Sequence, residues 1–578
     1  MNLNIKARVA PADVIALLAA TGMSPLLARI YAARGITSPQ QLAADTGNLM
    51  PPDRMHNLER MATILADAIA AGQKLLIVAD YDADGATACA VGMRALRAFG
   101  ANVDYLVPNR FEYGYGLTPE IVELAKQSKN PDLLITVDNG IASVDGVATA
   151  NRLGMQVLIT DHHLPGDELP DALCIINPNQ PGCGFPSKHL AGVGVMFYLM
   201  LALRAELRRR GAFVESGAEL RRRGAFNDKQ EPNLSTLLDL VALGTVADVV
   251  RLDDNNRILV QQGLQRMRNG KTCPGIAALM RAAGRNPAKI STYDLGFVIG
   301  PRLNAAGRLD DMALGIECLI TDDAGVAERC ARELDRMNRE RRSIETDMHA
   351  DALAILDRLP ATDNYSLSLF DPGWHQGVIG ILASRIRERL HRPVIAFAPG
   401  GDGEIKGSGR SIPALHLRDA LDLVTKRHPG LLLKFGGHAA AAGLTLRTAD
   451  LERFGGAFEA VAQELLSPAD LERIIETDGA LMAEQLTLET AALLEQRVWG
   501  QGFPPPTFDD AFAVVQQRVV GERHLKLRVA KDGREYEAML FAHAEPLPPR
   551  IHAVYRLAVN EYNGMRSLQL TFEQWQPV

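Results

Sequence analysis

Between Lys74 and about Val250 the chain alternates short apolar runs, rich in β-branched residues, with longer stretches of helical periodicity. That alternation predicts a parallel sheet with crossover helices. The expected strands are KLLIVAD at 74–80, NVDYLVP at 102–108, DLLITVD at 132–138 and MQVLITD at 155–161. Three of the four end in aspartate, and a later apolar run, LLDLVALGTVADVV at 237–250, carries Asp248. Ligands of parallel sheets gather at the carboxyl ends of strands, so these acids are expected along one edge.

From Asp322 to Leu359 helix formers run without a proline. A long connecting helix is predicted there, spanning on the order of 50 Å at about 1.5 Å per residue. Tyr365 to Leu466 returns to a β-α-β order, with SLSLF, GVIGILASRIRERL and PVIAFAP as a second α/β domain. After GFPPPTF the pattern alternates strictly, as in HLKLRVA and YRLAVN, and Asp532-Gly533 and Asn563-Gly564 are hairpin signals. The expected order is an N-terminal helical segment (1–50), a catalytic domain (51–321), a connecting helix (322–360), a second α/β domain (361–466), and a linker with an all-β module (467–578).

Composition adjusts this picture at its margins. A chain of 578 residues, 47% hydrophobic, buries several cores. Its net charge of −7 argues against nucleic-acid binding through bulk positive charge, although carboxylates neutralised by bound cations still count in that total. From residue 505 onward 9 Lys/Arg match 9 Asp/Glu, so any DNA role of the β-module rests on shape. Six cysteines without a C-x-x-C pair indicate neither a disulfide framework nor structural zinc. With no apolar segment of membrane-spanning length and no leader-like start, cytoplasmic residence is expected and a membrane role is not. The stretch AELRRRGAF at 205–213 recurs at 218–226, and such a charge run reads as a solvated surface extension.

DYDADG sets Asp80, Asp82 and Asp84 at alternate positions after the first strand, and Gly85 reads as the turn into a helix, leaving the acids on a loop. Three close carboxylates raise each other's pKa unless cations lie among them. A calcium loop is excluded because Val91 stands where its twelfth-position glutamate belongs. Asp138 of TVDNG and Asp161, His162 and His163 of TDHHLP end neighbouring strands. Carboxylates with imidazoles and no thiolate favour Mn²⁺ or Mg²⁺ over zinc. Two such ions about 3.5–4 Å apart activate a water and clamp a phosphoryl group, so phosphoester hydrolysis is the leading chemistry. NGKT at 269–272 is no phosphate loop, since Gln265 occupies the first glycine position.

DYDADG, VDNG, TDHH and VALGTVADVV resemble the four motifs of the DHH phosphoesterase family. PRLNAAGRLDD (301–311), GWHQGVIGILASRI (373–386), GSGRS (407–411), GGHAAAAG (436–443) and the β-module resemble its branch of single-strand-specific 5′→3′ DNA exonucleases. The resemblance runs from about residue 50 to the end, with the duplication as its one departure. It implies that Asp82 and Asp138 hold one ion with Asp80 nearby, and that Asp84, Asp138, His162 and Asp248 hold the other. Asp138 then bridges the pair, and His163 orients the centre or touches the scissile phosphate. Asp80, His163 and His438 are the implied catalytic set. Arg110, Ser408 and Arg410 are implied to read a 5′-phosphate, Arg302, Asn304 and Arg308 to contact the strand, and His438 to meet a phosphate. Phe111, Tyr113 and Tyr115 are candidate base stackers.

The fold so implied is an α/β chain: a parallel-sheet DHH domain, a long connecting helix, a second DHH-associated α/β domain and a C-terminal oligonucleotide-binding barrel. The implied activity releases 5′-mononucleotides from a strand threaded between the α/β domains, in DNA repair and recombination. The enzyme is expected to be a monomer, with a single-strand-binding protein and a helicase as partners. Two other readings are a phosphodiesterase of short or cyclic nucleotides, and a non-catalytic single-strand binder. The last predicts gaps in the ligand set, and the sequence has none.

Overall fold

The computed structural model describes residues 3–108, 113, 116–213, 231–358 and 364–578, with the side chains of 355–358 left aside. Arg110, Phe111, Tyr115 and the second copy of the duplication, 218–226, lie outside the described residues. The chain falls into two compact units, one of Arg8–Met337 with Asp478–Val578, the other of Met1–Ala7 with Asn338–Thr477.

Strands are numbered along the chain, β1 (Asn4–Ala7) belonging to the smaller unit. In the larger unit β2 (Lys74–Ala79), β3 (Asn102–Leu106), β4 (Leu133–Val137), β5 (Gln156–Thr160) and β6 (Cys174–Ile176) form one sheet in the order β3-β2-β4-β5-β6. All its pairs are parallel. The chain moves from β2 out to β3 and then crosses back to β4, so the strand order reverses between β2 and β4. Such a switch point opens a crevice at the carboxyl ends of the two strands, and here those ends lead into Asp80 and Asp138.

Alternate side chains of β2 feed two cores: Leu75, Ile77 and Ala79 pack with the helices Ala83–Ala98, Gly192–Arg209 and Leu238–Ala247, while Leu76 and Val78 pack with Ile121, Val122 and Val147. A sheet covered on both faces explains the continuous apolar runs.

Three expectations need correction here. The run 237–250, counted with the strand-end acids, is the helix Leu238–Ala247; it is buried all round, so neither period shows in its sequence. Asp84 lies in the first turn of the helix Ala83–Ala98 rather than on a loop, because Asp82 caps that helix one residue earlier. The N-terminal stretch contains helices Ala12–Ala19 and Pro25–Ala32, but it begins with β1, which pairs in parallel with β12 (Ile474–Thr477).

The proline-free stretch forms one helix, Ala324–Arg358. Strands β13 (Phe508–Val520), β14 (His524–Lys531), β15 (Arg534–Leu540), β16 (Arg550–Tyr562) and β17 (Met565–Pro577) close into a barrel in the order β13-β14-β15-β17-β16. Its two predicted turns are formed: Asp532 and Gly533 take φ of 49° and 75°, Asn563 and Gly564 of 51° and 76°, the doubly left-handed geometry of a two-residue hairpin.

The smaller unit carries a sheet of β7 (Leu367–Phe370), β8 (Val394–Gly401), β9 (Glu404–Arg410), β10 (Lys434–Gly437) and β11 (Ala441–Arg447), ordered β10-β11-β9-β8-β7. Only β7 and β8 run parallel; the other pairs are antiparallel.

Candidate metal centre

Four chain segments bring the acids together. Asp80 follows β2, and its N–H donates to Val137 O, tying it to β4. Asp82 Oδ1 accepts the Asp84 and Gly85 N–H groups at 2.9 and 3.0 Å, and Ala83 N–H donates to Asn304 Oδ1 at 2.7 Å. Gly85 admits no side chain, since a Cβ would lie 2.5 Å from the carbonyl oxygen of Asp80. Asp138 sits in the left-handed region with φ of 62°, a conformation aspartate tolerates better than most residues. Asp248 caps the C-terminal end of Leu238–Ala247.

These placements yield three groups whose ligand atoms lie within 4.8 Å of one another: Asp80, Asp82 and Asp138; Asp84, His162 and Asp248; and Asp138, His162 and His163. Asp138 and His162 each belong to two of them. His162 Nε2 stands 3.0 Å from Asp138 Oδ1, 3.6 Å from Asp248 Oδ2 and 3.9 Å from Asp84 Oδ2.

Without a cation this cluster is electrostatically costly. Burial and the Asp248 charge push Asp84 up to about 7, and burial with Asp82 does the same to Asp248, also about 7. Asp138 is raised well above the carboxylate range by burial and then by Asp84, Asp82, Asp248 and Asp80. Burial and neighbouring His163 hold His162 down, which keeps it neutral as a ligand must be. Asp138 Oδ1, Asp248 Oδ2 and His162 Nε2 are buried without a hydrogen-bond partner. Three orphaned atoms of ligand type aimed at one another fit a divalent cation.

Asp161, which the sequence reading mentions without assigning a role, organises the histidine pair. Its Oδ1 accepts the His162 and His163 N–H groups at 2.7 and 3.1 Å and His163 Nδ1 at 2.8 Å, while Oδ2 accepts the Ile141 N–H at 2.9 Å. Burial alone lowers the His163 pKa, but this hydrogen bond and the Asp161 charge outweigh it and hold the ring at about 9. Gly192 and Val193 were also missed. Their N–H groups, at the start of the helix Gly192–Arg209, donate to Asp84 Oδ2 and Oδ1 at 2.6 and 2.9 Å. The signal was the glycine pair in AGVGV, which reads equally well as ordinary helix packing.

The expected strand-contacting residues divide. Arg302 is buried and paired with Asp335, its Nη2 2.8 Å from Oδ1, which ties it to the long helix. Asn304 shapes the acid turn through Ala83, and Arg308 is half-buried on the same helix. Tyr113 is half-buried against the second of the two sheet cores, so packing accounts for it.

In the smaller unit, the GSGR part of GSGRS, 407–410, is strand. It lies in β9, hydrogen-bonded on both sides, and its glycines make room: a Cβ on Gly407 would meet Phe397 at 2.5 Å and one on Gly409 would meet Leu417 at 2.7 Å. Ser408 and Arg410 alternate onto the opposite face, beneath the start of the helix Ile379–Leu390, where a Cβ on Gly380 would lie 2.9 Å from both side chains. Arg410 donates to Ser408 Oγ at 3.1 Å and to Gly409 O at 2.8 Å; among the described residues no carboxylate pairs with it. Burial and neighbouring Arg387 lower its pKa. His438 is exposed at the turn between β10 and β11, its N–H donating to Ala441 O.

The loop after Asp248 is strapped to the approach to the barrel. Leu252 N–H donates to Gln501 O at 2.8 Å, Gly500 packs on Leu252, and Gly502 packs on Arg251. Arg34 holds the next residues, donating to Pro504 O and Asp478 Oδ1, each at 2.7 Å. The first copy of the duplication ends the helix Gly192–Arg209, and its arginines pair with Glu206, Glu231 and Asp67.

Three stretches match known families: the DHH family, N-terminal domain, at 74–245; the DHHA1 domain at 363–465; and the RecJ OB domain at 477–574. Over 568 residues the chain is 49% identical to the single-stranded-DNA-specific exonuclease RecJ of Salmonella typhimurium, covering 96% of each chain. The crystal structure of RecJ from Thermus thermophilus in complex with Mn²⁺ superposes with a TM-score of 0.80 at 29% identity, over all of this chain and 80% of the other. The corresponding Mg²⁺ complex gives 0.76 at 28% identity, over all of this chain and 79% of the other.

Proposed function

The chain belongs to the RecJ family of single-stranded-DNA-specific exonucleases, and from that premise we propose that it removes 5′-mononucleotides stepwise from the 5′ end of single-stranded DNA with two Mn²⁺ or Mg²⁺ ions. The observation that carries this reading is Asp138, shared between an all-carboxylate group and a histidine-containing group that is joined through His162 to the third. Asp80, Asp82 and Asp138 would hold one ion, and Asp84, Asp138, His162 and Asp248 the other. Bound there, the ions supply Lewis acidity to the scissile phosphate and lower the pKa of a water.

The protein's own groups do the positioning. Helix-start N–H groups of Gly192 and Val193 fix both oxygens of Asp84. Asp161 orients the His163 ring and favours its protonated form, which suits a hydrogen-bond donor to a phosphate oxygen. Ser408 and Arg410, which no carboxylate among the described residues pairs, lie under a helix N-terminus and make a site for a terminal phosphate, with His438 as a further contact. The closed barrel suits a single strand tracked by its backbone and bases. A single-strand-binding protein and a helicase are the partners such an activity calls for, one to present the strand and the other to produce it.

The deciding assay incubates a long single strand, a duplex and a dinucleotide, each 5′-phosphorylated, with Mn²⁺, Mg²⁺ or chelator. Metal-dependent release of 5′-mononucleotides from the long strand and not the duplex is expected, and Asp138→Ala abolishes it with an unchanged circular dichroism spectrum. Preference for the dinucleotide, or near wild-type turnover by Asp138→Ala, refutes the reading.

A further inference from the structure

Tyr293 and Phe297 stack with ring centroids 5.1 Å apart and 28° between planes, yet they are 58% and 65% exposed. Two rings of this size left in water forgo burial that such side chains ordinarily gain. They lie on the helical turn Thr292–Asp294 and the π-helical turn Leu295–Ile299, which continues into the helix Gly300–Leu309. Single π-turns recur at functional sites, because the extra residue re-aims side chains.

This run rests on the helix that ends at Asp248. A Cβ on Gly296 would stand 3.3 Å from Val246 Cγ1 and one on Gly300 would stand 3.0 Å from Ala247 Cβ, in the last turn before Asp248. Seven residues past Phe297, about 10 Å along a helix axis, Asn304 accepts the Ala83 N–H of the acid turn. The charges beside the rings cancel: Arg285 pairs with Asp294 at 3.2 Å, and Lys289 pairs with Glu561 of the barrel. What the patch offers is ring faces.

We propose that Tyr293 and Phe297 form a base-stacking platform for single-stranded DNA, taking bases beyond the scissile bond as the strand leaves the metal centre. The proposal rests on the nuclease reading above. Ring faces accept any base, so the platform holds the strand without selecting sequence.

The test is steady-state hydrolysis with Mn²⁺ of a 5′-phosphorylated 20-mer, the same 20-mer carrying internal abasic sites, and a dinucleotide. For Tyr293→Ala/Phe297→Ala the KM for the 20-mer rises at least tenfold, since stacking contributes about 5- to 150-fold per base. Turnover at saturation and the dinucleotide kinetics stay at wild-type values. The abasic strand gives the wild type the KM of the variant, and costs the variant nothing more. Tyr293→Phe/Phe297→Tyr keeps wild-type values, and the slope of log KM against log salt is unchanged, because no phosphate contact is lost.

An unchanged KM for the 20-mer overturns the platform, as does full rescue by leucine at both positions, which would mark an apolar docking face for a protein. An equal loss on the dinucleotide overturns it in favour of a structural role. Wild-type hydrolysis of the unmodified 20-mer reports separately on the nuclease reading, so the two failures are distinguishable.

Discussion

His163 Nδ1 lies 2.8 Å from Asp161 Oδ1, an oxygen that also receives the backbone N–H groups of both His162 and His163. One carboxylate thus holds the backbone of both histidines and sets the ring position and charge of His163. Asp161→Asn is expected to lower turnover and Mn²⁺ affinity by about 10- to 100-fold, the usual cost of losing a ligand's orienting partner. Hydrolysis rates and a calorimetric Mn²⁺ titration check this; wild-type values would mean the rings are held by something else.

Gly192 sits so close to Asp138 that a methyl group there would fall 2.7 Å from its Oδ1. Gly192→Ala is therefore expected to displace the shared ligand and cut turnover about 100-fold, since misplacement by an ångström has effects of that size. Thermal melting in chelator should move little by comparison. A variant as active as the wild type would show that Asp138 has room to shift.

Asp84 and Asp248 titrate near pH 7 in the metal-free protein, well above an unfolded carboxylate. Between about pH 4 and 7 the folded state therefore holds more protons than the unfolded one, and this contribution to stability is lost as pH rises through that window. Cations bind the deprotonated groups, so the Mn²⁺-induced rise in Tm should be larger at pH 8 than at pH 6. Differential scanning fluorimetry with Mn²⁺ or chelator at both pH values measures it, and a pH-independent rise would count against a carboxylate centre.

Arg302 and Asp335 form a buried ion pair, so removing one takes a charged partner from the other. Arg302→Met is expected to cost about 3–5 kcal/mol of stability, with much of that recovered in Arg302→Met/Asp335→Leu. KM for oligonucleotides should not change. A stable variant with a raised KM would restore Arg302 to the DNA-binding set.

The sheet and the acidic cluster at its edge were legible because both obey short-range rules. A strand covered on both faces writes itself as an unbroken apolar run, and the aspartate at its end marks where the backbone leaves the sheet. Helix Leu238–Ala247 escaped for the same reason: full burial erases the period that tells helix from strand. β6 is three residues long, too short to leave a pattern. Arg302 and Asn304 stand in one motif, and only their partners, Asp335 and Ala83, separate a structural anchor from a builder of the acid turn. Those partners are 33 and 221 residues away, beyond any local signal.

The strap joining Leu252 to Gln501 makes the barrel more than a handle for DNA. A nuclease shorn of its last hundred residues would lose the barrel's share of strand binding and, in the same stroke, the splint behind Asp248, a proposed metal ligand. Weak catalysis by such a truncated enzyme would then speak as much of a loosened Asp248 as of missing DNA contacts. Conversely, tension applied to the barrel by a moving strand would have a covalent and hydrogen-bonded route to Asp248 and any ion it holds.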